Sequence, residues 1–256
     1  MNSTNWIGKE IIHKEITGST NLDIKELAMN GAEEGTVVCA DMQTAGRGRR
    51  GRNWVSEKGD SLLFSLLLKP DISPDKASQI TLLMALAVTK VLRESYDFTA
   101  MIKWPNDIVV NNKKVCGILT EMYPDADGKF FVIVGCGINV GQKVVPVELQ
   151  EIATSLLLES GIVISAEELL QRILAEFERY YRGFCLKQSL EDFADEYNTW
   201  LISCDKEVRV LDPKGEFAGI SKGINAKGEL LVQLTDGSIT EVYAGEVSVR
   251  GLYGYV

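Results

Sequence analysis

Gly46-Arg47-Gly48-Arg49-Arg50-Gly51-Arg52-Asn53-Trp54 is the stretch on which the reading of the fold turns. Gly46, Gly48 and Gly51 satisfy G-x-G-x-x-G, and a strand-like run from Thr36 to Asp41 precedes them. A dinucleotide fingerprint must then open a helix, because the phosphate sits on that helix's N-terminus. The next residues, Arg52-Asn53-Trp54-Val55-Ser56-Glu57-Lys58-Gly59, carry no helical stripe of apolar side chains. The doubly wound reading therefore fails. An anion here would be held by arginine side chains and loop amides.

Charge sets this loop apart. Between Thr44 and Lys58 five basic residues (Arg47, Arg49, Arg50, Arg52, Lys58) face Glu57 alone. The loop carries +4 and the rest of the chain −13, within a total of −9 from 27 basic and 36 acidic residues. Guanidinium is a fixed fork of donors suited to phosphate or carboxylate, and Trp54 adds a flat face on which a base could stack. Three readings compete: a solvated loop, a nucleic-acid contact and a nucleotide site. An acidic chain without a repeated basic-aromatic pattern speaks against nucleic acid and against a membrane surface as partners.

At 256 residues, 45% hydrophobic and 25% charged, the chain is long enough for one large domain plus a small appendage. Its longest apolar runs, Leu62 to Leu68 around Ser65 and Ile80 to Val88, are too short to span a bilayer. Asn5, Lys9, Glu10 and Lys14 stand where an export signal would need an apolar stretch. Five cysteines, Cys39, Cys116, Cys136, Cys185 and Cys204, include no Cys-x-x-Cys pair. That fits a reducing cytoplasm rather than a disulfide framework or a structural zinc site. With His13 the sole histidine, catalysis must rest on Lys, Arg, Asp, Glu or backbone groups.

Working outward, Lys9 to Thr17 reads as a strand, and Ser19-Thr20 as the cap of a short helix bearing Leu22, Leu27 and Ala28. Thr44 to Asp60 shows no apolar period, and Ser61 to Leu68 reads as a buried strand. Ser73-Pro74-Asp75 opens a helix whose stripe is Ala77, Ile80, Met84, Ala87, Val88 and Val91. Strands are expected at 101–104, 107–110, 115–122 and 130–139, with turns at 111–114 and 124–128. Helices are expected from Glu148 to Leu158, from a capping box at Ser165-Ala166-Glu167-Glu168 onward, and from Leu190 to Ile202. From about Lys206, short strands separated by Asp212-Pro213-Lys214-Gly215, Asn225-Ala226-Lys227-Gly228 and Asp236-Gly237 suggest a small β-barrel. The expected class is α+β, with a mixed or antiparallel sheet, helices and a β appendage.

Several blocks in order carry a resemblance: Ser19-Thr20-Asn21; Gly46 to Arg52 with Trp54; Lys103-Trp104-Pro105-Asn106-Asp107; Gly117-Ile118-Leu119 with Glu121; and Gly135-Cys136-Gly137-Ile138-Asn139-Val140. Together they resemble the bacterial biotin protein ligases (biotin–[acetyl-CoA-carboxylase] ligases) from about residue 9 to the end. The arginine loop followed by the Lys-Trp-Pro-Asn-Asp block is the specific part; lipoate ligases resemble the same fold but lack that loop. The resemblance implies a class II synthetase-like catalytic domain over 1–204 and a C-terminal SH3-like β-barrel over 205–256. It implies an ATP-dependent ligase that forms biotinyl-5′-AMP, with Mg²⁺ on the phosphates. The biotin would then pass to a lysine of a biotin carboxyl carrier protein of acetyl-CoA carboxylase. Such a fold can also support a homodimer. The residues ahead of Lys9 are too few for the winged helix of many relatives, so a ligase without the repressor role is expected.

The roles implied by the resemblance fall on named residues. Ser19, Thr20, Asn21 and Gln43 would hydrogen-bond the ureido ring; helix capping by Ser19 or Thr20 could coexist with that. Arg47, Gly48 and Arg49 would meet the biotin carboxylate and the phosphate, Arg52 the triphosphate, and Trp54 the adenine, unless Trp54 is a core aromatic. Lys103 would bridge carboxylate and α-phosphate, its alternative being a strand-edge lysine with a snorkelling stem. Asp107 reads as a turn or supporting residue rather than a base, and no metal ligand is assigned. Gly117, Gly135 and Gly137 on apolar strands suggest a fused ring pressed on the backbone, or a bulge. Asn139 would contact adenine or phosphate, or simply end its strand. Arg250, in Gly245-Glu246-Val247-Ser248-Val249-Arg250, would close over the nucleotide or sit on the surface. The rival of another class is a non-enzymatic nucleic-acid-binding protein that uses the same loop.

Overall fold

The computed structural model describes residues 6–54, 57–125, 127–212, 215–245, 247–251 and 255–256. Pro213, Lys214 and Glu246, read from the sequence as parts of a turn and of a C-terminal motif, lie outside them. Strand β1 (Ile11–Thr17) leads through helix α1 (Thr20–Met29) into β2 (Val37–Gln43), which pairs with it in parallel. Parallel neighbours need such a crossover. The arginine-rich segment is a miniature hairpin, β3 (Gly46–Arg47) against β4 (Asn53–Trp54), around a 3-10 turn at Arg49–Gly51. Two-residue strands are too short to leave any period in the sequence.

Next come β5 (Ser61–Leu68), α2 (Ala77–Tyr96), β6 (Met101–Lys103), β7 (Asp107–Val110), β8 (Lys113–Pro124) and β9 (Phe130–Asn139). They complete a seven-stranded sheet in the order β1-β2-β5-β9-β8-β7-β6, antiparallel except for its first pair. The β7–β8 turn is tighter than the four residues expected. Asn111 and Asn112, at φ 48 and 65, make the two-residue hairpin that asparagine's tolerance of positive φ favours.

The sheet's two faces are unlike. Leu62, Phe64, Leu66 and Leu68 of β5 alternate onto one face with Val132, Val134, Cys136 and Ile138 of β9. There α2 and α4 (Ala166–Lys187) cover them, forming the main core. All six stripe residues named for α2 are buried, as are Leu169, Leu170, Ile173, Phe177 and Tyr180 of α4. Each such large side chain contributes about 1.5–3 kcal/mol. Ser165 caps α4 by accepting the Glu168 amide at 3.3 Å. The opposite face holds a smaller apolar cluster of Ile24, Val38, Leu67, Phe131 and Ile133 beneath α1.

Four expectations are corrected. Leu22 is 45% exposed, and α1 turns Thr20, Asn21 and Ile24 inward instead, because polar side chains belong to what lies beneath it. Glu148 to Leu158 is not one helix. It is a 3-10 turn at Val147–Leu149 and the short α3 (Leu156–Ser160), which Ser155 caps after a bridge between Lys114 and Ala153 holds the chain extended. The helix expected over 190–202 is α5 (Ala194–Trp200). The C-terminal strands β10 (Glu207–Leu211), β11 (Phe217–Ile224), β12 (Leu230–Gln233), β13 (Ile239–Val242) and β14 (Ser248–Gly251) form an antiparallel sheet, β13-β12-β11-β10-β14. It stays open: among the described residues β13 and β14 do not pair, so no closed barrel forms. Trp104, 2% exposed, ties this sheet to the larger one by donating its indole N–H to the Gly228 carbonyl at 3.1 Å. Among the described residues no helix is long and apolar enough to cross a membrane.

Candidate functional site

On the second face of the large sheet, register aligns small and polar residues in rows. Leu63, Gly137, Gly117, Asp107 and Lys103 are successive partners across β5, β9, β8, β7 and β6. The adjoining row is Val38, Ser65, Gly135 and Leu119. The Trp54 indole lies on the first row: a Cβ at Gly137 would come within 2.8 Å of it and one at Gly117 within 3.0 Å. A Cβ at Gly135 would collide with Asn21 Oδ1. Close approach, not a bulge, accounts for these glycines. The fused ring resting on Gly117 and Gly137 is the protein's own.

Between this platform, α1 and the arginine hairpin opens a small cavity of about 60 Å³, its floor covered by the Trp54 indole. Ser19, Thr20, Asn21, Gln43, Arg47, Gly48, Arg49, Trp54, Gly117 and Gly137 all line it. Ten residues singled out from the sequence are thus gathered around one space. Lys103, Arg52, Asn139 and Arg250 do not line it.

Thr20 donates its backbone N–H to Gln43 Oε1 at 2.8 Å. Ser19 stands at the N-cap position of α1 but makes no side-chain cap. Arg47 pairs with Glu121 at 3.0 Å. Arg49 crosses to the second sheet, donating to the carbonyls of Ala244 (3.1 Å) and Gly245 (2.5 Å) and to Asn106 Oδ1 (2.8 Å). Burial pulls the Arg49 pKa below its usual value, offset in part by Asp107; guanidinium stays charged regardless. Trp54 Nε1 is buried without an acceptor among the described residues, leaving a donor for a ligand.

Beside the cavity lies a charged cluster around Asp107. Lys103 is only 9% exposed, its Nζ 4.3 Å from the centre of the Tyr255 ring. Burial, with Lys114, Arg250 and Arg52 nearby, brings its pKa down to about 8 against the opposing pull of Asp107. Asp107 accepts from Lys114 Nζ at 2.6 Å and from the Tyr255 hydroxyl at 2.5 Å. Burial would raise the Asp107 pKa, but Lys114 and Lys103 outweigh it and hold the carboxyl below its usual value. Asp107 is therefore a carboxylate that anchors cations. Arg52 and Arg250 are exposed, yet both bear electrostatically on Lys103 and Tyr255. Asn139 is buried and donates to the Thr154 carbonyl at 2.9 Å, which makes it the fastening of a strand end.

Sequence reasoning missed Lys114, which lines the cavity. It reads as part of a polar turn, and strict alternation back from Gly117 would put it on the core face. The β7–β8 register shifts, however: Ile108 pairs with Cys116 while Val109 pairs with Lys114. That extra residue is a bulge, and it turns Lys114 to the side of Asp107 and Gly117. Asn106, which the sequence shows as aimed by Pro105, also lines the cavity and fixes Arg49. Tyr255 gave no signal in the sequence. A second groove, between α2 and α4, is lined by Lys90, Glu94, Glu168, Arg172 and Glu176 and has no glycine platform.

Residues 13–139 match the biotin/lipoate A/B protein ligase family model, and residues 203–250 match the biotin protein ligase C terminal domain. The bifunctional ligase/repressor BirA of Bacillus subtilis is 39% identical over 96% of this chain and 76% of its own length. The biotin–[acetyl-CoA-carboxylase] ligase of Mycobacterium tuberculosis is 31% identical over 90% of this chain and 85% of its own. The structure of a biotin protein ligase from Aquifex aeolicus in complex with biotin and ATP superposes with a TM-score of 0.84. It is 32% identical and covers 95% of this chain and 99% of that one.

Proposed function

The chain belongs to the biotin protein ligase family, and from that membership we propose how its own residues activate biotin and to what they pass it. The enzyme is a ligase that works through biotinyl-5′-AMP. A biotin carboxylate oxygen attacks the α-phosphorus of ATP; the new P–O bond forms as the bond to pyrophosphate breaks. The acceptor's lysine amine then attacks the acyl carbon, loses a proton and expels AMP. Both steps gather negative charge on oxygen, so the main demand is for fixed cations and N–H donors.

The observation that carries the assignment of roles is the convergence of the four ring-binding candidates and the arginine hairpin on one cavity over a glycine platform. Ser19, Thr20, Asn21 and Gln43 take the ureido ring, a neutral group that calls for hydroxyls and amides. Arg47 and Lys114 face the carboxylate. Lys103, Lys114 and Arg49 hold the α-phosphate, with Arg52 and Arg250 on the outer phosphates. Lys103, kept partly discharged by burial, becomes fully charged when an anion arrives beside it. Trp54 supplies the flat wall for adenine, its indole moving off the platform as ligand enters. Asn139 acts by holding the end of β9 rather than by touching the nucleotide.

Mg²⁺ comes with ATP as part of that substrate. Bound there, the ion would screen the charge of the phosphates beside Lys103 and Arg49. The acceptor is a biotin carboxyl carrier protein or domain, met in the cytoplasm. The chain divides as catalytic domain 1–204 and β domain 205–256, and a homodimer would add at the free edge of β1, where Ile11 and Ile16 are exposed. Incubation with labelled biotin, ATP, Mg²⁺ and a carboxyl-carrier domain should label the carrier lysine. Labelling by lipoate instead of biotin, or no ATP turnover with salt-sensitive binding to DNA or RNA, would refute the proposal.

A further inference from the structure

Ser65 interrupts an otherwise apolar strand, Leu62-Leu63-Phe64-Ser65-Leu66-Leu67-Leu68, and is fully buried. A hydroxyl in such a place is costly unless its bonds are made. They are made to α1. Ser65 Oγ lies 2.5 Å from Asn21 Oδ1 and 2.7 Å from Thr20 Oγ1. On the other side of Asn21, Glu121 Oε2 lies 2.8 Å from Nδ2, with the Leu119 carbonyl at 3.4 Å. Glu121 itself is held by Arg47 at 3.0 Å and by the Tyr123 hydroxyl at 3.1 Å.

Proton counting sets the orientation of the Asn21 amide. A carboxylate paired with arginine only accepts, so Asn21 must turn its NH2 to Glu121. Its oxygen then faces Ser65, whose hydroxyl donates toward it and toward Thr20 Oγ1, while the Thr20 hydroxyl donates to Gln43 Oε1 at 3.0 Å. Gln43 is fixed the same way: the Thr20 backbone N–H can only donate, so it takes Oε1. A ligand is left with a spare lone pair on Asn21 Oδ1 and the NH2 of Gln43, which makes no hydrogen bond among the described residues. An acceptor beside a donor is the complement of a cyclic urea, whose ring N–H donates and whose C=O accepts.

We propose that Ser65 and Glu121 are positioning residues that lock the Asn21 amide from both ends, so that the cavity presents an acceptor to the ring N–H of biotin. The inference rests on the functional reading above and extends it to two residues that do not themselves touch the ligand. Ser65→Ala frees the amide to turn and leaves its oxygen unpaired; Glu121→Gln, which can donate as well as accept, no longer dictates which end it meets.

The test is steady-state biotin-dependent pyrophosphate exchange, with KM for biotin, KM for ATP, kcat and Tm measured for each variant. Ser65→Ala should raise the biotin KM about tenfold, leaving the ATP KM and kcat within twofold. Ser65→Cys, with a weaker donor of similar shape, should fall between. The double variant should lose little more than the worse single one, because both act through one amide. A wild-type biotin KM in Ser65→Ala and Glu121→Gln would overturn the proposal. So would biotin and ATP KM rising together with a falling Tm, the mark of a merely structural role. If Ser65→Ala does not fold, Glu121→Gln and Ser65→Cys decide alone. Wild-type protein with no biotin-dependent exchange would bring down the functional reading and this inference with it. Normal wild-type exchange with unaltered variants would bring down only the inference.

Discussion

Strand β9 turns Val132, Val134, Cys136 and Ile138 to one side of the sheet and Ile133, Gly135, Gly137 and Asn139 to the other. Strand β5 repeats the division, with Leu62, Phe64, Leu66 and Leu68 against Ser61, Leu63, Ser65 and Leu67. The first face is filled by α2 and α4 and is mainly apolar, with Gln79, Thr89 and Glu178 among the few buried polar side chains of those helices. The second gives up side-chain volume along its middle and receives the Asn21 amide, the Trp54 indole and a cluster of cations. Stability and chemistry are thus lodged on opposite sides of one set of hydrogen bonds. The core face can hold a strand rigid while the other offers bare backbone to a ligand, a separation that lets a positioned site rest on a rigid element.

Breaking the core face should have the largest effect. Leu66→Ala, at a fully buried position outside the cavity lining, should lower the free energy of unfolding by about 2–5 kcal/mol, read from urea denaturation, while activity per folded molecule stays within twofold. A larger fall in specific activity would mean that the faces are not separable. Next in size, Lys114→Met should slow biotin-dependent pyrophosphate exchange about 10²- to 10³-fold, the usual cost of losing one donor to a developing oxyanion. Its Tm should also fall, because the Asp107 carboxylate loses its 2.6 Å partner, so exchange is compared per folded molecule; exchange within tenfold of wild type would remove Lys114 from the chemistry.

Lys103 sharpens the comparison through pH. Its folded pKa of about 8 lies below the ordinary 10.5, so folding disfavours its proton. Below pH 8 that penalty is present in full. Between pH 8 and 10.5 the unfolded chain keeps a proton the folded one has released, and this group's contribution to stability improves as pH rises. An anionic ligand reverses the preference. Titration calorimetry with biotinyl-5′-AMP at about pH 9, in two buffers of different ionisation enthalpy, should show net proton uptake that Lys103→Met abolishes. Equal apparent enthalpies for wild type in both buffers would detach Lys103 from the phosphate. The smallest effect is at the far end of the core: Ser165→Ala should cost about 1 kcal/mol by removing the α4 cap, with exchange kinetics unaltered.

Much of this division is legible in the sequence, because alternation along a strand is a strong signal. Gly135, Gly137 and Asn139 stand at every second position among Val134, Cys136 and Ile138, and the α2 stripe needs only helical spacing to be seen. The arginine loop is recognised by charge against an acidic background. Lys114 escapes because a bulge changes its face, and a register shift leaves no mark in residue type. Glu148 to Leu158 reads as helix because acids and leucines fit one, whereas the pairing of Lys114 with Ala153 overrides that local preference. Tyr255 and the crossing of Arg49 to the carbonyls of Ala244 and Gly245 depend on how the second sheet meets the first, which no single segment encodes.

The proposed activation of biotin on the glycine-bearing face, beneath the arginine hairpin, is open to direct test by hydrogen–deuterium exchange with and without biotinyl-5′-AMP. Amides over 46–54 should become slower to exchange when the adenylate binds. Unchanged exchange over 46–54, with new protection along the α2–α4 groove instead, would contradict that placement of the chemistry.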